Sequence, residues 1–481
     1  MKNPGLHGVL FGALLFVLSS YPSWSQDTKP GHAPDALPGV EPEMLTPEYW
    51  ITLQKNPDEV IMTPEDIERF NEVVRNKKVV FKDYYGKSDP LKHQFELILM
   101  QGPVMNPLLP LELPDTLPGD SLRVRLKSTI EWLYSPVNFD GSSDLYDGRN
   151  VIYSDIMKQE IIEDMNVAGI PDIIRRRFGI VVNHTNIRHY PTSVPAYSDT
   201  KWELDGFQAS GLCLGNPVAI LHESIDSDFL YVESPISRGW IQASDIAIAD
   251  REEVQFLTGD KNFLMATADK VPVYGDSSYK HFARYFYFSA TMPLISHDSR
   301  GYVVKMPYRT PDGSLGVTDG YIKPDADVHK GYLPYTKRNV ITQLFKLLNT
   351  PYGFRDQDNK RSCSGTMRVL LRCFGIITGR APQFILNSSD HKVYINPNLS
   401  TEEKMAEAAQ LEPVITMAGN SGHIVLFLGK ARNDKLYFMH QAGWGYDEGD
   451  QHYYVNRVTI NDAGHKFYTI HTPNVFTTFR K

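Results

Sequence analysis

Three side chains in the last third of the sequence have the types and the order needed for thiol catalysis. Cys363 stands in RSCSGTMRVLLRCFG, and His423 and His440 follow it in GHIVLFLGKARNDKLYFMHQAGWG. A catalytic thiol needs one imidazole to take its proton and a further group that fixes the orientation of that ring. Cys, His and His in this order supply all three groups.

The stretch around Cys363 predicts a helix that has the cysteine in its first turn. Apolar residues recur at helical spacing from Met367 to Phe374, and Gly375 is a natural C-terminal stop. Residues 362–364 would then form the helix start. The unpaired N–H groups and the positive end of the dipole at such a start favour a thiolate, so we expect a lowered pKa for Cys363.

The second cysteine of this stretch, Cys373, stands ten residues further along the chain. Ten residues of α-helix rise about 15 Å, whereas the Cα atoms of a disulfide lie no more than about 7 Å apart. The two cysteines therefore cannot be bridged within one helix. Cys373 neighbours Leu371 and Phe374, and we interpret it as a core residue.

The segment that carries the two histidines predicts a β-hairpin with a short polar turn. A turn centred on Ala431–Arg432 pairs Phe427 with Leu436, and the same register places His423 opposite His440. The apolar pairs make this register self-consistent, although a slip of one residue would move every side chain to the other face.

A zinc site is the competing interpretation of Cys363, His423 and His440, because zinc accepts three such protein ligands. No C-x-x-C or H-x-x-x-H pair accompanies them. We therefore do not expect a metal site at these residues.

Composition restricts the class of protein. The chain has 481 residues, enough for about three domains, with 42% apolar and 22% charged residues and a net charge of −8. The mild acidity argues against a nucleic-acid binder, which shows a clustered basic surface. Three cysteines do not make a disulfide scaffold.

The first 25 residues predict a secretory signal. Lys2 precedes the apolar run VLFGALLFVL, and Ser23 and Ser25 occupy the small positions before a cleavage site. No later segment is apolar for long enough to span a bilayer. We therefore expect an exported, monomeric bacterial protein in the periplasm or outside the cell.

Changes in composition and residue pattern divide the rest of the chain into regions. The predicted fold class is multidomain α+β. A flexible tether (26–45) precedes a helical region (46–178), two small SH3-like β-barrels (179–252 and 253–335) and a C-terminal helix-and-hairpin region (336–481). Short strands separated by turns characterise the two barrel regions.

The motifs of the C-terminal region resemble those of the NlpC/p-sixty family of papain-like cell-wall cysteine peptidases. The matching stretches are TPYGF, SCSG, GHIVLFLG and FMHQAGWG. Upstream, NPDEVIMTPEDIERFN resembles the start of the N-terminal stabilising domain found in a multidomain form of this family. RFGIVVNHTNIRHYPT, SPISRGWIQASDIA and GYVVKMPYRTPDG resemble parts of its two bacterial SH3-like domains.

The resemblance implies that Cys363 is the nucleophile, His423 the general base and His440 the residue that orients the base. It also implies cleavage of peptidoglycan stem peptides between D-glutamate and a diamino acid such as meso-diaminopimelate, through a thioester. The expected partners are peptidoglycan or muropeptides, and the resemblance implies neither a metal nor an organic cofactor.

Five further residues are candidates for substrate contacts. Tyr352 matches the active-site tyrosine of the family, and Ser362 and Ser364 flank the nucleophile as candidates for substrate or oxyanion contacts. Glu203 and Asp205 in WELDGFQ lie where relatives place a loop of the first barrel beside the cleft.

Two departures from the family pattern leave other functions open. Ser362 replaces the aspartate with which relatives bind a free N-terminal L-alanine, and LEPV replaces the L-x-P-G-D that precedes the histidine strand. The alternatives are a wall-binding protein whose peptidase domain is degenerate, and an amidase or acyltransferase on the same scaffold.

Overall fold

The computed structural model describes residues 31–32, 34–76, 110–134, 144–197, 204–259, 261–420 and 422–481. The predicted signal peptide and the candidate residue Glu203 lie outside the described residues. The described part is a mixed α+β structure in which helices pack against several β-sheets.

Nine α-helices lie in the described residues, and we number them along the chain. They are α1 Pro47–Thr52, α2 Pro64–Asn76, α3 Gly119–Tyr134, α4 Asp155–Asp164, α5 Arg251–Thr258, α6 Lys337–Phe345, α7 Cys363–Arg372, α8 Pro382–Ser388 and α9 Thr401–Ala408.

The helices of the predicted helical region belong to two different hydrophobic cores. Trp50 of α1 and Ile67 of α2 pack into the core of the C-terminal region, whereas Leu122 and Leu126 of α3 pack with Trp240 of the first barrel region. Asn71 of α2 ties the first pair to the end of α7, because its amide donates to the Gly375 carbonyl over 2.9 Å. The helical region is therefore shared between its neighbours in the part of the chain described.

The predicted flexible tether (26–45) is wrong for its second half. Leu37 and Met44 are buried against the C-terminal region, with 1% and 0% of their surface exposed. The strand Gly31–His32 pairs in parallel with Tyr453 and Tyr454. The segment carries apolar side chains among its prolines. Their transfer from water into the core stabilises a docked position, although the composition indicated a flexible segment.

Two seven-stranded antiparallel sheets follow, which we call the first and second sheets. In spatial order the first contains Ile246–Ala249, Arg177–Val181, Pro217–Glu223, Phe229–Glu233, Arg238–Gln242, Thr185–Arg188 and Gln208–Leu212. The second contains Phe282–Tyr287, Lys270–Tyr274, Leu315–Ile322, Gly301–Arg309, Thr291–Asp298, Phe263–Ala266 and Val328–Lys330. Two smaller sheets join Thr116–Pro118 to Ile173–Arg175, and Gly445–Glu448 to Gln451–Tyr454 and Gly31–His32.

Closed barrels, which the sequence predicted, are not formed by the described residues. In the first sheet the edge strands Ile246–Ala249 and Gln208–Leu212 do not pair with each other. Neighbouring segments cover both edges instead: Ile248 bridges to Ser314, and a Cβ added at Gly211 would meet the Asp356 carbonyl at 2.4 Å. Because these segments cover the edge strands, the backbone groups at the two edges do not need a further strand as partner.

The C-terminal region contains a six-stranded sheet, the third sheet, on which α7 packs. Its strands in spatial order are Lys392–Tyr394, Val475–Thr478, Thr416–Gly419, Ile424–Lys430, Leu436–Ala442 and Arg457–Asp462. The predicted hairpin is present as Ile424–Lys430 and Leu436–Ala442.

The predicted register of this hairpin is wrong by two residues. Phe427 pairs with Phe438 rather than with Leu436, because the turn takes residues 431–435 and a bulge follows Phe427. A shift of two residues keeps each side chain on its original face of the sheet. His423 and His440 therefore still face the same side, on a diagonal instead of directly opposite each other.

None of the helices in the described part of the chain is long and apolar enough to cross a bilayer.

Replacing Leu37 with alanine tests whether the N-terminal segment is docked. Because the side chain is buried in the C-terminal core, we expect the free energy of unfolding to fall by about 2–4 kcal/mol, measured by calorimetry. Val73→Ala, at a side chain that is 51% exposed, is the control and should change it by less than about 0.5 kcal/mol. Equal effects of the two substitutions would show that the segment is a free tether.

Candidate active site

Cys363 is the first residue of α7, as the sequence predicted. Ser362 caps the helix, and its Oγ accepts a hydrogen bond from the Gly365 N–H over 3.2 Å. Only 8% of the Cys363 surface is exposed. The backbone N–H groups of Ile424 and Ser364 lie near enough to its sulfur to favour the thiolate, so the thiol lies where the strand that follows His423 begins.

Cys373 caps the other end of α7 and is fully buried. Its thiol donates to the Val369 carbonyl over 3.4 Å, and all three cysteines of the chain are free. The two cysteines of the stretch are therefore inequivalent, with Cys363 beside a strand end and Cys373 in the core.

The two histidines are joined by a hydrogen bond, with Nε2 of His423 2.8 Å from Nδ1 of His440. Both rings are almost completely buried, with exposures of 7% and 0%. Trp444 and Tyr468 pack on His423 at ring-centroid distances of 4.5 and 5.2 Å. Aromatic side chains thus hold the imidazole pair in one orientation.

This bond limits the choice of tautomer. If His423 donates from Nε2, its Nδ1 keeps a lone pair that can accept a proton, and the proton of His440 lies on its Nε2. Nε2 of His440 is buried and has no hydrogen-bond partner among the described residues. In the other arrangement Nδ1 of His440 donates to Nε2 of His423, and the proton of His423 then lies on its Nδ1.

Burial keeps the thiol and both imidazoles neutral. It raises the pKa of Cys363 to about 11, even though the Ile424 and Ser364 N–H groups oppose the shift. Burial and the neighbouring ring lower the pKa of His423 well below its usual value, and burial lowers that of His440 to about 3. The expected fall in the pKa of Cys363 is therefore wrong, because the loss of solvent outweighs the helix start.

Tyr352 lies against the same site. Burial raises the pKa of its hydroxyl, and the nearby Cys363 adds to the rise, so the hydroxyl stays protonated and can donate a hydrogen bond. A Cβ added at Gly443 would meet the Tyr352 ring at 2.4 Å. Only glycine at that position lets the ring lie this close to the strand end.

Ser362 and Ser364 are occupied by contacts within the helix start. The Ser362 hydroxyl and N–H both donate to Oδ1 of Asp356, over 2.7 and 2.8 Å, and the two serine hydroxyls lie 3.4 Å apart. The exposure of Ser362 is 7% and that of Ser364 is 4%. Their hydroxyl groups therefore stabilise the start of α7.

Asp356 is a site residue that sequence reasoning missed. Its Oδ2 accepts from Arg368 over 2.9 Å, and although burial works against its charge, Arg368 and Arg380 keep its pKa below the usual value. A Cβ at Gly365 would meet Oδ1 at 1.9 Å, so the glycine of SCSG leaves room for this carboxylate. The only sequence signal was the polar run RDQDNK before the helix.

The loop that carries Asp356 spans residues 354–359 and has an unusual backbone. Arg355, Asp356, Asp358 and Asn359 all adopt left-handed conformations, with φ between 50° and 63°. Such residues cost free energy and persist only where surrounding contacts hold them. The sequence gives no spacing rule from which this conformation could be predicted.

Two hydrogen bonds between this loop and the first sheet hold the left-handed residues in place. Arg355 donates to the Gln208 carbonyl over 2.8 Å, and Asn186 donates to Oδ1 of Asp358 over 2.9 Å. The edge of the first sheet thus fixes the loop that in turn fixes the start of α7.

Asp205 does not present a free carboxylate. It is fully buried and pairs with Arg188 over 2.8 Å, and its other oxygen accepts from the N–H groups of Ala196 and Phe207, each over 2.9 Å. We interpret Asp205 as a structural ion pair inside the first sheet, where a loop contact with substrate was expected.

No group of three His, Cys, Asp or Glu side chains in the described part of the chain is arranged to hold a metal ion. Nε2 of His423 and Nδ1 of His440 are engaged in the hydrogen bond between the two rings.

Comparisons with known proteins agree with this architecture. A profile of the SH3 domain (SH3b1 type) matches residues 195–242. A solved NlpC/p-sixty endopeptidase from Photobacterium damselae subsp. piscicida superposes with a TM-score of 0.67 at 18% identity, over 89% of this chain and 96% of that one. An NlpC/p-sixty family protein from Bacillus cereus gives a TM-score of 0.43 at 13% identity, over 63% of this chain and 100% of that one.

No curated protein matches the chain at the level of sequence. The likeness to the Photobacterium enzyme extends over nearly all of both chains, so the order of the regions is shared as well as the C-terminal fold. The chain therefore has the fold of a multidomain NlpC/p-sixty endopeptidase and carries an SH3-like domain of the SH3b1 type.

Proposed function

We propose that the chain is an exported cell-wall cysteine endopeptidase. The bond that it cleaves is the amide between the γ-carboxyl of D-glutamate and a diamino acid of the peptidoglycan stem. One observation carries the proposal: the 2.8 Å hydrogen bond between His423 and His440, next to a tyrosine, Tyr468, that packs on both rings and interacts with Cys363. A structural cysteine needs no oriented imidazole pair at its side.

In the first half-reaction Cys363 attacks the γ-carbonyl carbon while its proton passes to Nδ1 of His423. His440 accepts from Nε2 of His423 and so stabilises the imidazolium and fixes its direction. The protonated Tyr352 hydroxyl donates a hydrogen bond to the oxyanion that develops. When the tetrahedral intermediate collapses, His423 gives the proton to the leaving amine and a thioester to Cys363 remains.

Water resolves the thioester in the second half-reaction. His423 removes a proton from the water, the oxygen attacks the thioester carbonyl, and the thiol leaves with that proton. The products are a peptide that ends in D-glutamate with its γ-carboxyl free and a peptide that begins with the diamino acid. Protons and electrons balance without a cofactor.

The raised thiol pKa gives specific support to one alternative, a wall-binding protein with an inactive peptidase domain. A neutral thiol reacts slowly, so slow alkylation of the free protein does not separate an active enzyme from a degenerate one. Turnover of muropeptides separates them, and the masses of the products distinguish an endopeptidase from an amidase or acyltransferase.

Replacing Cys363 with alanine should abolish the release of peptide from purified muropeptides, because the nucleophile is lost. Products are measured by mass spectrometry. Cys213→Ala, at a partly buried cysteine outside the site, is the matched control and should retain activity. Equal product from the wild type and Cys363→Ala would disprove the assignment.

Replacing His440 with alanine should lower kcat by about 100-fold or more, because His423 then loses the group that fixes its tautomer. His440→Asn should recover part of the rate, since its amide oxygen can accept from Nε2 of His423. Steady-state kinetics on one purified muropeptide measure both variants. Equal losses in the two, with unchanged folding, would argue against an orienting role.

The rate of alkylation of Cys363 by iodoacetamide should rise about tenfold for each pH unit from 7 to 10, because only the thiolate reacts and burial raises the thiol pKa to about 11. The measurement uses the Cys213→Ala protein and peptide mapping. A fast rate that is constant between pH 5 and 8 would instead show a thiolate–imidazolium pair.

A further inference from the structure

A buried tyrosine, Tyr468, contacts both histidines of the candidate active site. Its ring centroid lies 5.2 Å from that of His423 and 5.2 Å from that of His440. Only 2% of its surface is exposed. The phenol ring therefore packs on the imidazole pair from within the protein, and the steps described above give it no role.

The strand next to that of His440 fixes the position of Tyr468. Nδ2 of Asn461 donates to the Tyr468 carbonyl over 2.6 Å, and Asn461 pairs with Phe438 in the third sheet. The Phe438 ring lies 5.7 Å from the Tyr468 ring, and His440 follows Phe438 by two residues on the same strand. One pair of strands thus positions both the tyrosine and the imidazole that it contacts.

The hydroxyl of Tyr468 is buried and has no hydrogen-bond partner among the described residues. Three further tyrosines of the described chain are as completely buried, and all three donate to backbone carbonyls: Tyr190 to that of Thr129 over 2.6 Å, Tyr335 to that of Phe479 over 3.3 Å and Tyr437 to that of Gly39 over 2.6 Å. A buried hydroxyl without a partner costs free energy. Phenylalanine would fill this position at a lower cost.

A second unpaired group lies on the neighbouring ring. Nε2 of His440 is buried and lacks a partner among the described residues, and the planes of the His440 and Tyr468 rings are inclined by 41°. Burial raises the pKa of Tyr468, and the nearby Cys363 adds to the rise, so the hydroxyl stays neutral and its oxygen can accept a hydrogen bond. Hydrogen bonds of a catalytic site often form or tighten only during the reaction.

The proposed mechanism fixes the proton on Nε2 of His440. Once His423 has taken the thiol proton, both of its nitrogen atoms carry hydrogen, and its Nε2 donates to Nδ1 of His440 across the 2.8 Å contact. The proton of His440 then lies on its Nε2. Because the pair carries a positive charge in this state, Nε2 of His440 becomes a stronger donor than in the resting protein.

We propose that the Tyr468 hydroxyl accepts a hydrogen bond from Nε2 of His440 while His423 is charged, and that Tyr468 is thus a positioning residue that stabilises the imidazolium. The inference rests on the proposed function. It extends the chain of groups behind the thiol from two histidines to a third side chain, which lies outside the motifs that carried the family resemblance.

Tyr468→Phe removes the hydroxyl and keeps the ring. With a purified muropeptide kcat should fall about tenfold, the value of one hydrogen bond to a charged group, whereas KM should not change because the hydroxyl does not touch the substrate. The melting temperature should stay equal or rise, since the resting protein loses no hydrogen bond. Tyr437→Phe is the matched control: its hydroxyl is bonded to Gly39, so the melting temperature should fall while kcat is kept.

A double-mutant cycle tests whether Tyr468 acts through His440. In a His440→Asn protein Nε2 is absent, so adding Tyr468→Phe should change kcat by less than about twofold. A further tenfold loss in that background would overturn the inference, as would an unchanged kcat in the single variant Tyr468→Phe. Parallel losses of kcat and melting temperature in the single variant would show a merely structural role.

An activated ester separates this inference from the proposed function. The Cys363 sulfur attacks the carbonyl of p-nitrophenyl acetate, its proton passes to His423, and nitrophenolate leaves as a burst while a thioester forms. If muropeptides are not cleaved, the proposed function fails and the burst decides on Tyr468. A burst that is lost in Cys363→Ala and is about tenfold slower in Tyr468→Phe supports the role. Equal burst rates in wild type and Tyr468→Phe, or a wild type without a burst that depends on Cys363, reject it.

Discussion

The position of Cys363 depends on one buried carboxylate. Asp356 bonds to the N–H and hydroxyl of Ser362 and to the guanidinium of Arg368, and so closes the open end of α7. Acidic groups are favoured at a helix start, where the N–H groups lack partners. Because contacts with the first sheet hold the loop of Asp356, the SH3-like region takes part in building the site.

This arrangement also explains what the substitution at Ser362 does. The family resemblance implies an aspartate at this position in relatives that require a free N-terminal L-alanine. Here the carboxylate comes from Asp356, and Arg368 neutralises it at 2.9 Å. Asp356 is therefore paired and offers no free carboxylate to an ammonium group.

Burial sets the chemistry of the resting site. Cys363, His423 and His440 have lost most of their contact with solvent, so each favours its uncharged form. In the proposed mechanism, the proton passes from sulfur to imidazole during the reaction itself, when the developing oxyanion gives the imidazolium a counter-charge. The hydrogen bond between the histidines is already formed in the resting site. It stabilises the proposed imidazolium of His423 more strongly than the neutral ring.

Local patterns in the sequence predicted the parts of the site that depend on local rules. The helix start at Cys363, the core position of Cys373 and the shared face of the two histidines follow from periods and caps that act over a few residues. The exact hairpin pairing did not follow, because a five-residue turn and a bulge moved it by two residues.

Contacts between segments distant in the chain were not predictable in this way. Asp356 reaches Ser362 only because four residues of its loop adopt left-handed backbone conformations, and Leu37 is buried only because the C-terminal region offers a groove for it. The prediction of closed barrels was wrong for a related reason. Other segments cover the two edges of the first sheet, so its edge strands do not pair with each other. Such contacts follow from the assembled structure and have no signature in composition or period.

The most direct test of the account is to trap the covalent intermediate. A reaction with a purified muropeptide is quenched in acid within the first turnover, and the protein is digested and analysed by mass spectrometry. The account predicts an acyl group, ending in the γ-glutamyl carbonyl, on the peptide that contains Cys363. Turnover that proceeds without any acylation of Cys363, or with the acyl group on another residue, would contradict it.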